Sequence, residues 1–102
     1  MAAIHLIERE NLFSRVNGSQ TEYESGYWNL SETQAQELVN SNIYFHERQL
    51  EPSFYGGVIT GFRVQQGELH NGRIIFKFEP KTECRGVTSG RGCWQFEKKI
   101  VK

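Results

Sequence analysis

Residues 42–64 read NIYFHERQLEPSFYGGVITGFRV, two runs of β-forming residues on either side of a segment that cannot stay extended. Ile43-Tyr44-Phe45 is the first run. Val58 to Val64 is the second, and in it Val58, Thr60, Phe62 and Val64 fall on one face by the two-residue period of a strand. Between them lies Glu51-Pro52-Ser53-Phe54-Tyr55-Gly56-Gly57. Pro52 has no N–H and holds Glu51 extended, while Gly56 and Gly57 accept either a positive φ or the close approach of another backbone. The chain therefore leaves one strand and enters the next here, with Phe54 and Tyr55 at the turn.

Downstream, Gln65 to Gly72 contains Gly67 and the turn pair Asn71-Gly72, after which Arg73 to Glu79 alternates. Ile74, Phe76 and Phe78 form one face, and Arg73, Ile75 and Lys77 the other. This pattern predicts a hairpin between residues 58–65 and 73–79, stopped by Pro80. Upstream, Ser31-Glu32-Thr33-Gln34 has the form of a capping box, and Ala35, Leu38 and Val39 share a helical face. The spacing predicts a helix over 31–40, ended by Asn40-Ser41-Asn42 and feeding directly into the strand 43–45.

The flanks are less patterned. A short strand is expected near His5 to Ile7, and Arg15 to Ser25, polar and carrying Asn17-Gly18-Ser19, is expected to be a turn or ordered loop ending at Tyr27 and Trp28. Trp94 to Val101 is expected to be the last strand, with Trp94, Phe96 and Ile100 on one side. One helix and about five strands without crossover helices imply an α+β domain. Its expected form is a small curled antiparallel sheet or partly open barrel, with the 31–40 helix covering one end or edge.

A chain of 102 residues is one domain with room for a single core. Twelve basic and twelve acidic residues cancel, but up to Gly72 four Arg face nine Glu, whereas from Arg73 onward eight basic residues face Glu79, Glu83 and Glu97. That asymmetry is either an acidic and a basic face or strands of the two halves pairing with complementary charge. No apolar run approaches the ~20 residues of a membrane span. The start MAAIHLIERENLF also lacks the basic opening and long apolar run of a signal peptide, so a soluble, cytoplasmic protein without membrane partners is expected. Cys84 and Cys93 would be reduced thiols in that compartment, although a hairpin in the glycine-rich loop between them would bring them close enough to bond.

His5, His46 and His70 are scattered, and with the two cysteines they form no CxxC or HxxxH spacing, so no metal or cofactor is expected. His46-Glu47 offers a general base and a carboxylate, but neighbouring strand residues point to opposite faces. Ser53 and Ser89 lie outside any nucleophile signature, and no catalytic residue is assigned. The loop Arg85 to Gly92, with three glycines, Thr88, Ser89, Arg85 and Arg91, has the chemistry of a phosphate cradle and equally that of a flexible hairpin tip. Aromatic residues make up 13% of the chain. Tyr27, Trp28, Phe54, Tyr55 and Trp94 stand at element ends or turns, where they either stack on a flat ligand or plug the ends of a small barrel.

A short helix followed by Ile43-Tyr44-Phe45-His46, a loop with Pro52, and then Gly57-Val58-Ile59-Thr60-Gly61-Phe62-Arg63-Val64 resembles the PUA-like β-barrels, in particular the EVE and ASCH groups. The resemblance implies binding of RNA or modified DNA bases, the EVE type holding a flipped base among aromatic rings, and it carries over to Phe45, His46 and the 57–64 strand. The expected function is that of a small non-catalytic binding protein. Phe54, Tyr55 and His46 would line a site for a base-like ligand, with Arg63, Arg85 and Arg91 on the phosphates of RNA or DNA. The alternative is a protein–protein interaction or inhibitor protein of the mobile-element or defence kind. It would engage another protein through an edge strand and the aromatic turn, with a homodimer through residues 43–45 or 94–101. A third reading is an enzyme built on His46 and Glu47.

Overall fold

The computed structural model describes residues 2–8, 13–16, 18, 21–49, 51–88, 94 and 98–101. Among these the strands are β1 (Ala3–Ile7), β2 (Phe13–Arg15), β3 (Tyr23–Trp28), β4 (Asn42–His46), β5 (Tyr55–Val64), β6 (Ile74–Pro80) and β7 (Lys98–Val101). The helix α1 (Glu32–Glu37) joins β3 to β4. All seven strands form one sheet in the order β2-β3-β6-β5-β4-β1-β7.

The central hairpin is the one expected. β5 and β6 pair antiparallel from Gly57 opposite Pro80 to Val64 opposite Ile74, and Ile74, Phe76 and Phe78 are fully buried. A bulge between Ile59 and Gly61 changes the face of β5. Ile59 turns into the core, Thr60 is exposed, and Phe62 and Val64 pack inward. The single face expected for Val58, Thr60, Phe62 and Val64 is thus broken midway, because one extra residue shifts the two-residue period by a step. Gly56 and Gly57 serve close approach. A Cβ on Gly56 would collide with the Ile43 carbonyl oxygen and one on Gly57 with that of Glu79, so β4, β5 and β6 could not pair around a larger residue.

The capping box at α1 is formed in both directions: Ser31 Oγ accepts from the Gln34 N–H at 3.1 Å, and the Ser31 N–H donates to Gln34 Oε1 at 3.1 Å. The helix is shorter than the expected 31–40. After Glu37 the Leu38 N–H closes on Ala35 and Asn40 adopts φ 73°, a left-handed residue that an α-helix cannot contain. The chain is then seized by β5, with Asn40 N–H donating to Ile59 O and Ile59 N–H to Ser41 O. Ala35 and Leu38 lie in the core.

Four expectations are corrected. The described residues form seven strands rather than about five, since the polar stretch expected as a loop contributes to the β2–β3 hairpin, with Phe13 opposite Ser25 and Arg15 opposite Tyr23. The sheet is mixed rather than antiparallel, because β1 runs parallel to β4 in the register Ile4–Ile43 to Ile7–His46, and β4, paired with β5 on its other side, is an interior strand rather than the open edge expected for residues 43–45. A parallel pair needs a long crossover. The β2–β3 hairpin and α1 together supply it. The last strand spans Lys98–Val101, and Trp94 stands outside it; Phe96 and Cys93 lie outside the described residues. Cys84 is a buried free thiol whose pKa burial pushes up, with Glu83 adding to the rise.

The sheet curls without closing. Phe13 on the edge strand β2 reaches back to Phe45 of β4, Tyr55 of β5 and Phe78 of β6, with ring centroids 4.8, 5.0 and 6.1 Å away. From the other edge, Lys98 Nζ of β7 donates to the Asn29 carbonyl oxygen just after β3. The concave face holds the core, centred on Ile4, Leu6, Ile43, Phe45, Phe76 and Phe78. Among the described residues no helix is long and apolar enough to cross a membrane.

Candidate functional site

Three places on this scaffold concentrate chemistry. The first is the end of the curl where β2 and β3 meet the start of β5. Arg15 Nη2 donates to the Tyr23 hydroxyl at 3.2 Å, and its guanidinium carbon lies 5.6 Å from the Tyr23 ring centroid. Arg85 lies over Tyr55 at the same 5.6 Å. Burial raises the Tyr55 pKa, nearby Tyr23 raises it further, and Arg85 opposes the rise, so the two tyrosines and their arginines belong to one cluster. Both arginines are exposed, whereas Tyr23 and Tyr55 are half-buried and packed on the core. Phe54 sits at the rim, 6.4 Å from Phe13. The ion pairs formed among the described residues are Arg63–Glu24 and Lys81–Glu79, and neither Arg15 nor Arg85 is in them.

Ser53 sets the position of Arg85. Its N–H donates to Val87 O at 2.8 Å, its carbonyl accepts from Gly86 N–H at 2.7 Å, and its hydroxyl donates to Cys84 O at 2.6 Å while accepting from Val87 N–H at 3.0 Å. These bonds also decide the fate of the expected phosphate cradle. The N–H groups of Cys84 and Arg85 go to Lys81 O and Thr82 O, and those of Gly86 and Val87 go to Ser53. Residues 84–87 therefore offer an anion the Arg85 side chain and no cradle of amides. Ser89, Gly90, Arg91 and Gly92 lie outside the described residues.

The second place is the outer face of β1, β4 and β7. Parallel pairing sets His5 beside Tyr44, and antiparallel pairing sets Lys99 across from His5. His46 is fully buried and His5 nearly so. His46 Nδ1 lies 2.8 Å from the Glu51 carbonyl oxygen and His46 Nε2 lies 2.8 Å from His5 Nδ1. A carbonyl only accepts, so His46 Nδ1 carries the proton, His46 Nε2 accepts from His5 Nδ1, and His5 Nε2 is left with the lone pair. Burial first, then the charges of His46 and Lys99, lower the His5 pKa from 6.5 to about 4. Burial likewise lowers that of His46, against the Glu51 hydrogen bond. The His5 ring stacks on Tyr44 at 4.7 Å and meets the Trp94 ring edgewise at 6.3 Å.

The third place is a cleft of about 340 Å³ on the outer face of β2, β3, β6 and β5. Arg63 lies there in a two-pronged pair with Glu24, Nε to Oε2 at 2.9 Å and Nη2 to Oε1 at 3.1 Å.

The residues singled out from the sequence are thus divided. Phe54, Tyr55 and Arg85 come together at the curl's end. His46 belongs to the opposite face of β4, because Phe45, its neighbour, is the residue that pairs with Tyr55 and points into the core. Arg63 stands in the cleft with its charge matched by Glu24, and Arg91 is outside the described residues. Sequence reasoning missed Arg15 and Tyr23. Their signal was the alternation of Phe13, Arg15, Tyr23 and Ser25 about Asn17-Gly18, too short and polar to outweigh a loop reading. It also missed the His5–His46 pair, which only the parallel register creates. Among the described residues no group of three His, Cys, Asp or Glu is placed to hold a metal ion.

The chain was compared with protein-family models, curated proteins and solved structures, and none of them matches it.

Proposed function

We propose that the protein binds nucleic acid through the tyrosine–arginine end of the curled sheet, with Arg15 and Arg85 contacting phosphates and Phe54 flanking them. The observation that carries this reading is the pair of guanidiniums, each laid against a tyrosine ring and neither matched by a carboxylate at ion-pair distance among the described residues. A planar cation resting on an aromatic face keeps its outer N–H groups for a phosphate, which it grips with two parallel bonds. Arg91, six positions further along the sequence, would add a third charge. The resemblance of residues 42–64 to PUA-like proteins points to the same ligand class. His46, sealed on the other face of the sheet, takes no part.

The test is a fluorescence titration of single-stranded RNA, single-stranded DNA and duplex DNA at two salt concentrations. Each phosphate contact contributes about 0.7 to the slope of log K against log salt for single strands and about 0.9 for duplex. The double variant Arg15→Ala, Arg85→Ala should lower that slope by close to two contacts and weaken all sequences alike. Both side chains are exposed, so the fold should survive. No binding at low salt, or an unchanged slope in the double variant, overturns the reading and leaves a protein partner as the alternative.

A further inference from the structure

The outer face of a curled sheet is normally solvated, yet Ile75, which points away from the main core, is only 3% exposed. It forms the floor of the cleft. Gly26 packs directly against Ile75 with no room for a side chain, since a Cβ there would stand 2.9 Å from Ile75 Cγ1. One wall is Tyr27, itself 43% exposed, held flat by His70, whose ring stacks on it at 4.4 Å with 8° between the planes. The polar end is the Arg63–Glu24 fork, with Ser14 at the rim.

The fork specifies what would be complementary. Arg63 gives Nε–H and one Nη2–H to Glu24, which leaves Nη1 and the second Nη2–H as donors. Each Glu24 oxygen accepts one of these bonds and retains a lone pair. The pair is electrically neutral as a unit and presents a donor beside an acceptor. An anion would have to compete with Glu24 for the guanidinium. A flat uncharged ring with a donor and an acceptor on one edge satisfies both partners and lays its apolar face against Tyr27. We propose that this cleft receives an uncharged heterocycle of the nucleobase type, read along one edge by Arg63 and Glu24. The site lies on the opposite face of β2 and β3 from Arg15 and Tyr23, and it needs no phosphate. It would let the protein read a base as well as hold a backbone, but it does not depend on that backbone being held.

The experiment uses the four nucleosides, which carry no phosphate, titrated into the ¹⁵N-labelled protein at low and high salt while amide shifts are followed. Saturable shifts are expected at Gly26, Tyr27 and Ile75 with at least one nucleoside, at an affinity that salt leaves nearly unchanged. Arg63→Met keeps the aliphatic stem and removes the fork's donors, and it should weaken binding about tenfold, the loss of one charge-assisted hydrogen bond. Glu24→Gln, which keeps the shape and turns an acceptor into a donor, should change which nucleoside binds best. The absence of saturable shifts at these amides overturns the proposal. So does equal binding by inorganic phosphate, or an Arg63→Met variant that binds as the parent does. Failure of the nucleosides leaves the salt-dependent binding of polyanions untouched, and failure of the polyanions leaves this cleft untouched.

Discussion

His5 and His46 show how much a single pairing can impose on a side chain. Each is an ordinary imidazole in the sequence, and each is held neutral first by burial of its charged form, with the charges of His46 and Lys99 adding to the effect at His5. The unfolded chain takes up protons as the pH falls below 6.5, whereas the folded state resists until about 4 at His5. Stability from this pair is therefore complete above pH 6.5 and is lost as the pH falls toward 4. The shift at His5 alone corresponds to roughly 3 kcal/mol. Urea midpoints measured at pH 7, 5.5 and 4.5 should fall steeply, and a His5→Asn variant, whose amide still donates to His46 but does not titrate, should show a flatter decline. Parallel profiles for the two proteins would remove the histidine pair as the cause. Ser53 makes the same point in neutral form: a buried hydroxyl flanked by Pro52 looks inert, but its four bonds join the turn before β5 to the loop that carries Arg85.

At the scale of elements, local and non-local causes separate cleanly. The start of α1 was legible because a capping box needs only residues 31 and 34, and its two bonds form as expected. Ser31→Ala should lower stability by ~1 kcal/mol, read as a shift in the chemical-denaturation midpoint with an unchanged slope; coincident curves would mean that the cap carries no load. The end of the helix was less legible, because what stops it is β5 capturing Asn40 and Ser41. The alternation of β6 was legible residue by residue, while that of β5 failed at the bulge, since an inserted residue leaves no mark in composition. The curved β2–β3 hairpin escaped notice for another reason. Ser25, buried and polar, is accommodated by the Trp28 indole N–H at 3.1 Å, a bond that turns an unfavourable core residue into an acceptable one.

For the whole molecule the decisive feature is curvature. Phe13 on the edge strand joins strands three and four places away in the sheet, packing against Tyr55 of β5 and Phe45 of β4. It also brings the tyrosine–arginine cluster together, because Arg15 is two residues along the same strand. Phe13→Ala should cost about 2–4 kcal/mol, somewhat under the figure for a fully buried ring. It should also loosen the β2–β3 edge, seen as faster amide exchange at Ser25 and Tyr23 than in the β5–β6 hairpin. Uniform loss of protection across the sheet would instead make the curl and the hairpin a single unfolding unit. The sequence by itself determined the α+β class, the capped helix, the central hairpin and the inward side of β6, all of which follow from periodicity and turn chemistry within a few residues. Only the tertiary structure decided the parallel β1–β4 pairing, the bulge in β5 and the return of β2 over the core. With them it decided that Tyr55 and His46 face apart while Arg15 and Arg85 converge. These depend on contacts between residues tens of positions apart, whose energy lies in complementary packing and leaves no local period to read.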